Sequence, residues 1–289
     1  MKKIFKNRLH TYIRRYTQLL AAVLYNCNIK GFFKGEIFTG NIKGACVPGL
    51  NCYSCPGAVM ACPLGSLQSG LVGAGYKIPF YVIGTLLLFG LLLGRVICGF
   101  LCPFGFLQEL LAKIPVPKLK KSRFTRILSY LKYLILGIMV IAIPLIKHYP
   151  AFCKWICPAG TLSGGIPLTI ANENVRAMLG FLFSWKVFVL CLIIIACTFI
   201  HRAFCRFLCP LGAIYSFFNP IAFFGIKVKM DKCIGCDACV RNCMMDIKKV
   251  GDRECVHCGD CIKHCPTGAI RYGFFEIKDK EHGTGKRNI

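Results

Sequence analysis

Three apolar runs, about Pro79–Val96, Ile127–Ile146 and Leu179–Ile200, approach or exceed the roughly 20 helical residues that cross a hydrocarbon layer of about 30 Å. Such runs leave few folds open. Without water to satisfy backbone groups, helices packed side by side are the available solution for this pattern. A fourth run, about Tyr16–Phe33, is interrupted by Asn26, Asn28 and Lys30 and reads as a weaker span. The expected fold is therefore a membrane α-helical bundle of about four spans. Composition agrees: 55% of the 289 residues are hydrophobic and only 17% are charged.

Beside these runs one small motif recurs four times: Cys62-Pro63-Leu64-Gly65, Cys102-Pro103-Phe104-Gly105, Cys157-Pro158-Ala159-Gly160 and Cys209-Pro210-Leu211-Gly212. In the last three, another cysteine sits four residues earlier, at Cys98, Cys153 and Cys205. Residues four apart share a helix face. The proline stops the second cysteine from continuing a regular helix inward. Both thiolates of a pair can then face one metal site. Cys98/Cys102 and Cys205/Cys209 together supply the four ligands one iron–sulfur cluster needs. Inert buried cysteines are the bland alternative, but they do not explain the repeated proline and glycine.

Residues 226–275 have ordinary polarity. They hold Cys233-x2-Cys236-x2-Cys239-x3-Cys243 and Cys255-x2-Cys258-x2-Cys261-x3-Cys265-Pro266. This is the bacterial two-cluster ferredoxin spacing, in which the fourth cysteine of each run reaches the other cluster. One [4Fe-4S] cluster is expected on Cys233, Cys236, Cys239 and Cys265, the other on Cys255, Cys258, Cys261 and Cys243. Gly235 and Gly259 suit loops where backbone N–H groups approach sulfide. Zinc also binds Cys-x2-Cys, but two full four-cysteine runs argue for iron. Met244 stands where the first run would carry its proline, so a local loop change is expected there. Strand-like ends at Ile226–Met230 and Ala269–Phe274 close a small α+β bacterial 2[4Fe-4S] ferredoxin-like domain. The expected division is 1–225 membrane domain, 226–275 ferredoxin domain and 276–289 polar, disordered tail.

The formal charge of +25 suggests nucleic acid at first sight. No nucleic-acid motif is present, however, and the basic residues cluster beside the apolar runs as topology signals. Lys2, Lys3, Lys6, Arg8, Arg14 and Arg15 precede the first run; Lys113, Lys118, Lys120, Lys121, Arg123 and Arg126 lie between the second and third. Placing both segments in the cytoplasm puts both termini inside a multi-pass protein of the cell membrane. Cys98/Cys102 and Cys205/Cys209 then fall at the inner ends of spans. Cys46, Cys52, Cys55, Cys62, Cys153 and Cys157 fall outside. Six cysteines exceed one cluster and fall short of two. One outer cluster is expected, from Cys52, Cys55 and Cys62 with Cys46, Cys153 or Cys157 as the remaining ligand. A second cluster with a non-cysteine ligand, or structural disulfides on an oxidising face, are the alternatives. No cleavage site follows Leu19–Tyr25, so an uncleaved anchor is expected.

The stretches Gly94-Arg95-Val96-Ile97-Cys98-Gly99-Phe100-Leu101-Cys102-Pro103 and Phe204-Cys205-Arg206-Phe207-Leu208-Cys209-Pro210, followed by the two-cluster run, resemble the NapH/NosR-type membrane polyferredoxins over residues 80–275. That family also resembles the copper-oxidase assembly ferredoxins in its Cys-x3-Cys-Pro idea. The resemblance implies a multi-span electron-transfer subunit, more a part of an oxidoreductase complex than a stand-alone enzyme. Its partners would be a quinone, a flavin-carrying subunit or another soluble or membrane redox protein; the cysteine-ligated clusters themselves suit a reducing, anaerobic setting. The outer cysteines depart from the nitrate-reductase members, so donor and acceptor are not carried over. An accessory or redox-sensing protein for metalloenzyme maturation or regulation is the alternative function. Cys27, Cys191 and Cys197 match no motif and read as small buried hydrophobes. His257 reads as a cluster-loop residue. Trp185 and Lys186 read as an interfacial aromatic and a snorkelling lysine. No acid–base, nucleophile, Walker or dinucleotide pattern occurs.

Overall fold

The computed structural model describes residues 2–73, 79–119 and 121–274; the expected tail at 276–289 lies outside them. Four long helices run through it: α1 (Lys2–Tyr25), α3 (Phe80–Leu93), α5 (Arg123–Lys147) and α7 (Phe181–Phe199). Shorter helices that each begin at a Cys-Pro turn stand between them and after the last: α2 (Pro63–Gly73), α4 (Pro103–Leu111), α6 (158–171) and α8 (Pro210–Phe218).

Helices α5 and α7 are long and apolar enough to cross a membrane; α3 is apolar but has 14 residues, about 21 Å at 1.5 Å per residue. The first expected span, Tyr16–Phe33, is not one helix. Helix α1 stops at Tyr25, and the chain turns at Asn26–Asn28 before a short helix, Ile29–Lys34. Asn28 donates to the Pro56 carbonyl (2.9 Å), and Gly31 lies so close to that carbonyl that a Cβ would come within 2.2 Å of it. The Asn28 side chain thus serves a loop contact, while Asn26 donates to the Ala22 carbonyl (2.9 Å) at the end of α1.

The four helices are patterned outside in. Tyr16, Leu19, Leu20, Val23 and Leu24 on α1, Leu87, Leu88, Leu91 and Leu92 on α3, Ile127, Leu134, Ile138 and Ile141 on α5, and Phe188, Leu192 and Ile195 on α7 are exposed. Inside lie Gln18, Gln68, Gln108 and Lys132, all fully buried. The core joins Val82, Leu86, Ile97, Phe104, Ile135, Val140, Phe152 and Phe204 to Met245, Ile247 and Val256 of the C-terminal region.

That region is closed by two antiparallel strands, β1 (Phe224–Val228) and β2 (Ile270–Phe274), with Ile226 opposite Tyr272. They pair the ends of the region, as the strand-like segments suggested, and hold both cysteine loops between them. A buried carboxylate fastens the region to the helices. Glu254 receives Arg95 (2.9 Å) and Lys132 (2.5 Å). A second, Asp246, is paired with the buried Arg206.

Candidate metal centres

Each Cys-Pro turn is a helix start. Cys102 and Cys209 occupy N-cap positions with Pro103 and Pro210 at the first helical residue, where a missing N–H costs nothing. The glycine two residues after the proline supplies a backbone N–H to the cysteine sulfur: Gly65 to Cys62, Gly105 to Cys102, Gly160 to Cys157 and Gly212 to Cys209. The earlier cysteine of each pair rides on a one-turn helix: Cys98 on Val96–Phe100, Cys153 on Ala151–Trp155 and Cys205 on Ala203–Phe207. At 105 and 212 the glycine also fits because a Cβ would meet the carbonyl of that cysteine, at 2.8 Å from Cys98 and 3.2 Å from Cys205.

Cys98, Cys102, Cys205 and Cys209 line one tightly packed buried site, closed by Leu50, Phe104, Phe204 and Tyr215. Sequence spacing anticipated this set. Cations surround it. Arg202 donates to the Cys98 carbonyl (2.6 Å) and is paired with Glu109, and Arg95 reaches the Cys205 carbonyl (3.4 Å). Glu109 also holds Arg14 (2.5 Å). Burial pushes the Glu109 carboxyl up, but Arg202 and Arg14 outweigh it and hold it below the usual carboxylate range.

A second cavity, about 990 Å³ with its open mouth, is lined by Cys52, Cys62, Cys153 and Cys157. This grouping differs from the expected trio of Cys52, Cys55 and Cys62. Cys55 is buried elsewhere, with its sulfur toward the backbone N–H groups of Gly57 and Ala58 and the Ser163 hydroxyl. Cys46 faces the hydroxyls of Ser66 and Thr85. Both cysteines of the later Cys-Pro pair line it, one in the fourth place the spacing left open and one in the place of Cys55. Lys186 also lines this cavity. Its stem belongs to α7, but its ammonium approaches Gly160 and lies within electrostatic reach of Cys52, Cys153 and Cys157. The snorkelling expectation missed this because Lys186 sits one turn inside an apolar helix and its inward direction is a matter of packing.

In the C-terminal region Cys243, Cys255, Cys258 and Cys261 line a third, small cavity. Cys243 receives the Met245 N–H (3.4 Å) beyond the Met244 position. Of the other four, Cys239 and Cys265 are half-buried and pack against Ile226, Cys261 and Ile270, while Cys233 and Cys236 are exposed. At Cys265, burial pushes the thiol up, but the Thr267 hydroxyl and the N–H groups of Ala269, Ile270 and Thr267 together outweigh it and bring the thiol below its usual range. His257 is more than a loop residue. Buried, it accepts from the Ile226 N–H (2.8 Å) and meets Asn219 (3.0 Å), pinning the loop to β1.

The sites follow one another without gaps. Leu50 lines both cavities of the helical region, and Gly49 packs so closely on Cys102 that a Cβ would lie 2.9 Å from its Cα. The Tyr215 hydroxyl donates to the Pro48 carbonyl (2.8 Å), fixing that loop. On the other side Gly99 touches Val256, whose carbonyl would lie 2.4 Å from a Cβ at 99. Cys239 lies within electrostatic reach of Cys261.

Among the described residues, no group of three or more His, Cys, Asp or Glu side chains is tight enough for a single metal ion. A multi-iron cluster spreads its thiolates over separate irons, so three cavities each ringed by four sulfurs suit a cluster better than an ion. The surroundings fit as well. The Nε–H groups of Arg95 and Arg202 are buried without a partner among the described residues, as donors near a site meant for added negative charge would be.

Residues 74–122, 132–166 and 181–230 match a family described as a 4Fe-4S binding domain, and residues 250–271 match a second family of the same description. Two uncharacterized proteins of Methanocaldococcus jannaschii are similar, at 34% identity over 55% of this chain and 62% of theirs, and at 30% over 65% and 68%. YccM of Escherichia coli, whose name proposes a role in electron transport, is 26% identical over 62% of this chain and 49% of its own. This chain thus spans about half to two thirds of the length of these relatives. No solved structure matches it. With the archaeal relatives, the chain belongs to a family of ferredoxin-type iron–sulfur proteins built on 4Fe-4S binding domains.

Proposed function

We propose that this protein is a membrane electron-transfer protein holding four [4Fe-4S] clusters in a row. The quartets would be Cys233/Cys236/Cys239/Cys265, Cys255/Cys258/Cys261/Cys243, Cys98/Cys102/Cys205/Cys209 and Cys52/Cys62/Cys153/Cys157. The observation that carries the reading is their succession: Val256 packs on Gly99, Gly49 and Leu50 join the two helix-domain sites, and Cys239 packs against the same small cluster as Cys261. When bound, the clusters supply one-electron redox chemistry at potentials set by charge, hydrogen bonds and exposure. The chain's own part is to hold the sulfurs in line, to exclude water with Leu50, Phe104 and Tyr215, and to balance charge with Arg95 and Arg202. The name of the Escherichia coli relative supports the same reading.

The membrane placement rests on exposed apolar stripes on four helices around a core containing Gln18, Lys132 and Glu109. In water that pattern would be inverted. Helix α3, at about 21 Å, is shorter than the hydrocarbon layer, so the Cys98 quartet sits below the membrane surface. Both termini and the C-terminal region face the cytoplasm on the charge pattern, and the Cys52 quartet opens on the other face. NapH/NosR-type proteins are the kindred for this arrangement. The inner partner would be a soluble ferredoxin. The outer partner would be a quinone or an extracytoplasmic or flavin-carrying protein, in a complex.

Iron and sulfide quantitation after anaerobic purification, with an EPR redox titration, tests the reading. Four quartets require about sixteen irons per chain. Cys52→Ala should lower the count and remove one signal, while Cys55→Ala should leave both unchanged. Two clusters only, or equal losses from the two variants, would defeat the assignment.

A further inference from the structure

The Cys-Pro repeat extends further than its cysteine, proline and glycine. Six residues after Cys62 stands Gln68, and six after Cys102 stands Gln108. Both side chains are fully buried, and each crosses to the cysteine pair on the partner turn. Gln68 Nε2 donates to Cys153 Sγ (3.3 Å), and Gln108 Nε2 donates to Cys205 Sγ (3.0 Å). Their carbonyl oxygens are engaged in the same way: Gln68 Oε1 accepts the Phe152 N–H (3.1 Å), and Gln108 Oε1 accepts the Cys205 N–H (3.3 Å). An amide's orientation is normally an assignment from its hydrogen-bond network. Here the network settles it, because a backbone N–H can only donate. The oxygen must face it, and the NH₂ must face the sulfur. Cys197 adds its thiol to Gln108 Oε1 (3.5 Å), which gives that buried cysteine a place in the network.

From this geometry we infer that Gln68 and Gln108 are matched positioning residues, each setting the reduction potential of one membrane quartet through an N–H···S bond to its ligand cysteine. The inference rests on the cluster assignment above. A hydrogen bond to a cluster sulfur stabilises the more negative, reduced state. Cys62 and Cys102 carry a glutamine six residues on, whereas Cys157 and Cys209 carry Ser163 and Tyr215 there. Each quartet therefore has one glutamine, supplied by the earlier of its two turns.

The test is an EPR redox titration of the purified, iron-loaded full chain with Gln68→Met and Gln108→Met. Each should keep its iron and lower the potential of one signal, a different one in each variant. The expected size is about tenfold in the reduced-to-oxidised ratio at fixed potential, or about 59 mV for a one-electron couple. Gln68→Glu and Gln108→Glu keep an acceptor for the backbone N–H while removing the donor to sulfur. They should lower the same potentials even if a methionine variant loses iron. Retained iron with unchanged potentials would overturn the inference. So would iron loss in both the methionine and the glutamate variants, since the residues would then be structural. Only two clusters in the parent protein would instead overturn the underlying assignment.

Discussion

Replacing Glu254 with glutamine removes the carboxylate that joins the C-terminal region to the helices. Glu254 is 14% exposed; Arg95 and Lys132, which it pairs with at 2.9 and 2.5 Å, are fully buried. At an effective dielectric of about 20, the longer contact alone is worth about 6 kcal/mol of gross attraction, from 332/(20 × 2.9). Desolvation offsets most of that, but the offset is already incurred by the cations, which remain buried in the variant. Removing one partner of a buried pair costs about 3–5 kcal/mol, and here two cations lose theirs. We expect at least about 3 kcal/mol, or a Tm lower by about 6 °C at roughly 2 °C per kcal/mol for a chain of this size. Thermal unfolding of the iron-loaded protein in detergent would measure it. Lys132→Met in the Glu254→Gln background should restore part of the loss, because one stranded charge is gone. The pH dependence is also fixed in sign. Burial pushes the Glu254 carboxyl up, but Arg95 and Lys132 outweigh it and hold it below its ordinary value. Its stabilisation is complete above the ordinary glutamate pKa of about 4.3 and is lost as pH falls through the depressed one. The gap between variant and parent should therefore be level from about pH 5 to 6. A loss under about 1 kcal/mol, or one that grows with pH in that range, would refute the clasp.

Cys191 is exposed on α7 beside Leu192, yet a charged maleimide applied to intact membranes should leave it unlabelled and react after detergent extraction; labelling from water in membranes would contradict a lipid-facing stripe. Leu50 lines the cavities of two quartets, so Leu50→Ala should cost about 2–5 kcal/mol and alter both membrane signals while sparing the C-terminal pair. A change in one signal alone would mean the two sites are not neighbours.

The sequence displayed local ligand geometry and hid long-range choices. The Cys255 loop and its crossover to Cys243 were legible because the spacing itself prescribes the wrap. The Cys98 and Cys205 pairs were legible because a repeated turn implies a repeated role. Cys52 and Cys55 are three residues apart and chemically alike. Only the packing of the 48–58 loop against the Cys153–Gly160 turn decides which of them meets Cys157. The span at Tyr16–Phe33 misled because Phe32 and Phe33 are apolar; the break depends on Asn28 reaching Pro56, 28 positions away. Gln68 and Gln108 were visible at matched spacing, but an isolated glutamine carries no signal until its partner sulfur is located.

The same logic explains why four turns make two sites rather than one or four. Between successive Cys-Pro turns lies one long helix: α3 between Cys62 and Cys102, α5 between Cys102 and Cys157, α7 between Cys157 and Cys209. One traverse reverses the end of the bundle at which the next turn falls. Successive turns therefore cannot meet at the same end, and alternate turns must: Cys62 with Cys157, and Cys102 with Cys209. The helices that follow the turns bring the two sites together. Both α2 and α8 pack against the same stretch of α5, Leu136–Ala142, a π-helical segment, one from each site. The chain thus does not leave its two sites at opposite ends of the bundle. The short helices carry each site inward, and the loop at Gly49–Leu50 fills what remains between them.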